Sequence, residues 1–118
     1  MRARRRGGDP LSRDRLRQDG RVNDTPRSPV WVLTYEPAEG FMSKVPMHYP
    51  AHSALAKAAH DRGELLLIGL LDDPPSGESM AVFTSREAAE RFVAEDPFVQ
   101  HGVVGSWRLR PWAETLTS

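Results

Sequence analysis

From Val30 onward the spacing of apolar residues switches from two to about three and a half and back, and the order of the switches admits few folds. Val30, Val32 and Thr34 alternate with Trp31, Leu33 and Tyr35 in a stretch rich in β-branched and aromatic residues, which predicts a strand. Glu36 to Pro46, with two prolines and Gly40, reads as a loop. From Met47 to Arg62 the pattern becomes helical around Leu55, Ala58 and Ala59, and Gly63 stands where a helix end favours a left-handed residue. Pro50 fits this helix if it lies in the first turn, where no backbone donor is needed.

Glu64 to Leu71 is almost continuously apolar and predicts a second strand buried on both faces. Asp72 to Gly77, with Pro74 and Pro75, makes a turn, and Ser79 to Thr84 a third strand. Thr84 and Glu87 stand at capping-box spacing and open a helix with Ala88, Ala89, Phe92 and Val93 on one side. Asp96-Pro97 ends it, because a residue before proline is pushed out of the helical region. Val103, Gly105, Trp107 and Leu109 then alternate with Val104, Ser106, Arg108 and Arg110 in a fourth strand. The order βαββαβ is the ferredoxin-like plan, an α+β fold with an antiparallel sheet and both helices on one face. Strands one and two carry large apolar groups on both faces, and no remaining segment is apolar enough to cover the second. A homodimer packing sheet against sheet is therefore expected.

The chain of 118 residues contains no cysteine, which excludes disulfides, thiolate metal sites and cysteine nucleophiles. The longest apolar run, Leu65 to Leu71, is broken by Gly69 and falls far short of the roughly 20 residues of a membrane helix. A cytoplasmic protein without membrane contact is expected. The zero net charge conceals two unlike segments. Residues 1–28 hold nine arginines against four aspartates, and residues 29–118 hold seven basic against twelve acidic side chains. The first segment has no aromatic and few aliphatic residues, so it is expected to be disordered, with a single domain over 29–118. Arg4-Arg5-Arg6 could grip phosphates, but aspartates recur every five positions and no aromatic is available to stack on a base. Nucleic-acid binding is not expected. No apolar stretch follows the arginines as it would in a secretory signal. A further reading makes part of this segment upstream sequence, with a start near Val22 or Val30.

Without cysteine, chemistry falls to histidine, carboxylates and hydroxyls. His52 stands three residues before Leu55 and seven before Ala59, on the inward stripe of the first helix, and His48 lies one turn earlier. Such a histidine is ordinarily a packed side chain satisfied by a backbone group. No suitably placed glutamate joins His48 and His52 into a metal motif, so neither a metal nor another cofactor is expected. Asp96 before Pro97 is ordinary turn chemistry. In this fold, however, the end of the second helix and the start of the first can approach one end of the sheet. A carboxylate there could orient His52 and leave its outer nitrogen to move a proton. Ser43, Ser53 and Ser106 lie in no nucleophile-elbow motif, and the glycines form no phosphate-binding fingerprint.

The strings His52-Ser53-Ala54-Leu55, Gly63 to Gly69, Glu87 to Phe92, Asp96-Pro97-Phe98-Val99-Gln100-His101-Gly102-Val103 and Trp107 to Trp112 together resemble the YciI-like (YCII-related) family over about residues 29–114. The resemblance implies a ferredoxin-like dimeric α+β barrel with His52 and Asp96 as the family's active-site dyad. A related dehydrochlorinase acting on a chlorinated hydroxyquinol implies proton transfer or elimination on a small cyclic substrate. Two positions depart from the family pattern. Tyr49 stands where members often have arginine, which argues against an anionic substrate group there, and Leu70 stands where many have proline.

The expected protein is thus a YciI-like homodimer with a small-molecule cleft between sheet and helices. In it His52 is general base or acid, Asp96 is its partner, and Met47, Tyr49, Phe98 and Trp107 are pocket walls. The alternative is a non-catalytic ligand-binding or accessory dimerisation module.

Overall fold

In the computed structural model, which describes residues 29–116, the four strands form one antiparallel sheet in the order β2-β3-β1-β4. The strands are β1 (Val30–Pro37), β2 (Leu65–Leu70), β3 (Ser79–Phe83) and β4 (Val104–Trp112). The helices are α1 (Val45–Asp61), α2 (Arg86–Glu95) and the single-turn α3 (Pro97–Gln100). A 3-10 turn at Phe41–Ser43 occupies part of the expected loop. The α+β, ferredoxin-like plan holds, with the third short helix added. The Arg-rich segment 1–28 lies outside the described residues.

Register assigns the faces. Leu33 lies opposite Ala81 and Leu109, and Tyr35 opposite Ser79 and Trp107, and residues directly opposite share a face. On that face Leu33, Tyr35, Leu65, Ala81 and Phe83 pack against Ala59 of α1 and Ala88, Ala89, Phe92 and Val93 of α2. Phe83 and Phe92 meet with ring centroids 5.2 Å apart. Burying one ring of this size contributes about 2–3 kcal/mol, so either residue truncated would open the centre of the core.

Two helix boundaries differ from the pattern. Helix α1 begins before Met47, with Pro46 in its first turn, and Pro50 therefore falls inside the helix. The cost is one missing bond to the Pro46 carbonyl. The α2 cap is Ser85 rather than Thr84: its hydroxyl accepts from the Ala88 amide at 3.1 Å. Thr84, one residue earlier, still belongs to the sheet ladder, its amide donating to the Glu64 carbonyl.

Strand β2 is not buried on both faces. Leu65 alone is enclosed, whereas Leu66, Leu67, Ile68 and Leu70 are exposed, Leu67 to 68 %. The reason is topological: β2 is an edge strand, and helices cover one side of the sheet only. The side away from the helices carries Val32 opposite Val82, both buried, and the exposed Leu67 and Trp112, opposite Val82 and Val30. Among the described residues no helix is long and apolar enough to cross a membrane.

Candidate active site

Pro97 stops α2, and the residue before it takes an extended conformation, φ −73° and ψ 119°. That residue, Asp96, turns its side chain under the start of α3, where Oδ1 accepts the Phe98 amide at 3.0 Å. The same oxygen lies 2.9 Å from Nδ1 of His52, delivered by the first half of α1. Oδ2 accepts the Tyr35 hydroxyl at 2.7 Å, delivered by β1. Asp96 is 0 % exposed, the sole fully enclosed charged side chain among the described residues. The three contacts supply both oxygens of this buried side chain with hydrogen-bond partners, which burial makes obligatory.

These contacts also determine the proton on His52. With both Asp96 oxygens acting as acceptors, Nδ1 is the nitrogen that donates to Oδ1, which leaves Nε2 as the outer nitrogen of the ring. The imidazole lies flat on Phe98, with centroids 4.0 Å apart and planes 9° from parallel, and meets the edge of Phe92 at 6.3 Å. Tyr35 is held protonated: burial, then the neighbouring Asp96 charge, then the hydrogen bond to it all push the phenol up.

A cavity of about 630 Å³ opens against this cluster, lined among others by Tyr35, Tyr49, His52, Ile68, Leu70 and Phe98. Its walls are mainly apolar, with Glu36 among them and, among the described residues, no lysine or arginine. Asp96 lies behind the wall and reaches the cavity through His52. Of the residues named from sequence, His52, Tyr49 and Phe98 meet here, while Met47 and Trp107 do not line the cavity. Met47 precedes His52 by five residues, about 140° round the helix, and is 78 % exposed. Trp107 belongs to β4, at the opposite edge of the sheet from β2, which forms one cavity wall.

His48 does not join His52; it stacks on His101 with centroids 4.3 Å apart and planes 2° from parallel. Among the described residues no group of three or more metal-ligating side chains converges. Tyr35 is the participant that periodicity did not reveal. It marks one face of a strand, and its partner lies 61 residues away.

Comparison with known proteins agrees with this arrangement at the level of fold. No curated protein sequence matches the chain. Among solved structures it resembles the 5-chloro-2-hydroxyhydroquinone dehydrochlorinase of Burkholderia phenoliruptrix, solved in complex with 2,5-dihydroxybenzoquinone. The two are 18 % identical, the match covers 70 % of this chain and 92 % of that one, and the TM-score is 0.58. A protein of Shewanella oneidensis matches at 16 % identity over 76 % of this chain and 95 % of that one, with a TM-score of 0.49. The model of the YCII-related domain matches residues 30–113, from the first residue of β1 to just past the last of β4. With the whole sheet and all its helices inside that match, this chain belongs to the YCII-related domain family.

Proposed function

We propose that this protein catalyses proton transfer or elimination, as a lyase or isomerase acting on a small cyclic substrate, with His52 as the acid–base group and Asp96 as its orienting partner. The observation that carries the proposal is the 2.9 Å contact between His52 Nδ1 and an Asp96 carboxylate with no exposure to solvent. In this reading the bare Nε2 takes a proton from substrate in the cavity, and the imidazolium is stabilised by Asp96. The electron pair left on the substrate expels a leaving group in an elimination, or shifts within the ring and is reprotonated by His52 in an isomerisation. A positioned base of this kind contributes roughly 10²–10⁴-fold. The dehydrochlorinase of the same fold is named for an elimination from a ring, which supports this class of chemistry. The cavity's mainly apolar walls, without lysine or arginine among the described residues, favour a substrate lacking an anionic group, held beside Tyr49 and Phe98.

The proposal takes residues 29–118 as one domain and a homodimer as the working form. Two sheets would meet through the face away from the helices, where Leu67 and Trp112 are exposed.

The test is the His52 titration followed by NMR in the native protein and in Asp96→Asn. Coupling predicts that the midpoint moves when the carboxylate charge is removed. An unmoved midpoint overturns the dyad and leaves a ligand-binding module in its place.

A further inference from the structure

Asp96 bridges two side chains that both line the cavity, His52 through Oδ1 and Tyr35 through Oδ2. The second bond is the shorter, at 2.7 Å, and it is enclosed: Tyr35 is 7 % exposed and Asp96 0 %. The amide of Phe98 shares Oδ1 with His52, so the Tyr35 hydroxyl is the one hydrogen bond on Oδ2 among the described contacts. A donor on one carboxylate oxygen draws negative charge away from the other and holds the carboxylate plane against rotation.

We infer that Tyr35 is a positioning residue of the site, whose hydroxyl sets both the orientation of Asp96 and the strength with which Asp96 holds the His52 proton. The inference rests on the proposed His52–Asp96 dyad and deepens it. Without the hydroxyl, Asp96 would depend on two donors, both on Oδ1, and would attract the imidazolium more strongly. A more acidic phenol would share its proton more fully and weaken that attraction. The phenol itself does not lose its proton, since burial and Asp96 keep it protonated across the range in which histidine titrates. The other titratable groups around His52 are Tyr49 on its own helix, 6.3 Å away between ring centroids, and Glu36 on β1, which lines the same cavity. His48, one turn back on α1, is engaged with His101.

The experiment is an NMR titration of His52 in three forms of the full chain. Tyr35→Phe should raise the midpoint by about half a unit or more. Replacing the tyrosines by 3-fluorotyrosine in a Tyr49→Phe background labels Tyr35 alone, since the chain has two tyrosines. That form should titrate at a lower midpoint than Tyr49→Phe itself. Asp96→Asn serves as the third form. If it moves the midpoint while neither change at Tyr35 does, the inference is overturned and the dyad stands. If none of the three moves it, the dyad and the inference fall together. Should Tyr35→Phe fail to fold, the fluorotyrosine comparison decides alone, with no shift counting against the role of Tyr35.

Discussion

His52 and Phe98 lie face to face, with 4.0 Å between ring centroids, and the backbone amide of Phe98 donates to the carboxylate oxygen that His52 also meets. One residue therefore holds the histidine by its ring and the aspartate by its amide. Phe98→Leu removes the ring and keeps the amide. We expect the His52 ring protons to shift downfield as the ring current disappears, with the Asp96 contact retained. Two-dimensional NMR of the imidazole resonances checks this, and unchanged shifts would show that the stack is absent in solution.

Asp96→Ala should be far more harmful than Asp96→Asn. Alanine leaves the Tyr35 hydroxyl, the Phe98 amide and His52 Nδ1 without their acceptor in an enclosed space. Each stranded buried donor costs roughly 1–3 kcal/mol, so a loss of about 3 kcal/mol or more is expected. Asparagine keeps one acceptor oxygen and should lose less. Urea unfolding of the two variants beside the native protein measures the difference.

Tyr35 makes stability depend on alkaline pH. Its folded pKa is raised, by burial first and then by Asp96, above the ordinary value near 10. The contribution is therefore complete below about pH 10 and is lost as pH rises above it, because the unfolded phenol ionises while the folded one does not. One proton corresponds to roughly 1.4 kcal/mol per pH unit. Denaturation between pH 9 and 11 should show this fall, and Tyr35→Phe should flatten it by that amount.

Leu67 tests the proposed dimer without disturbing the core. It faces the uncovered side of the sheet opposite Val82 and is 68 % exposed in the single chain. Leu67→Glu should leave the fold of each chain intact, since nothing is displaced, but should place charge in the sheet-to-sheet interface. Sedimentation at micromolar concentration should give a dimer for the native protein and a monomer for the variant. A native monomer would remove the dimer from the proposal.

Sequence periodicity served well wherever the informative contact is local. The inward stripe of α2 reads correctly because Ala88, Ala89, Phe92 and Val93 repeat at helical spacing, and all four are buried. The Asp96-Pro97 stop reads correctly because a proline constrains its immediate neighbour. Pattern failed at β2, whose apolar run suggested enclosure on two sides. An antiparallel edge strand and a central buried strand share the same composition, and chain pairing alone separates them. At Met47 and Trp107, which lie outside the cavity lining of the single chain, apolar character specified neither direction round a helix nor position across a sheet.

What the sequence determined by itself is the order of strands and helices, the buried face of α2, the family to which the chain is similar, and His52 and Asp96 as candidates for the chemistry. Those follow from spacings of two, three and four residues and from short motifs, all of which act within one element. Tertiary structure decided that His52 meets Asp96, 44 positions further on, and that Tyr35 joins them from 61 positions before Asp96. It decided these because the packing of α1 and β1 against the α2–α3 junction places the three side chains within hydrogen-bonding reach. Burial then makes each of those bonds obligatory, since a charged carboxylate shut away from water must find its donors among whatever the fold brings to it.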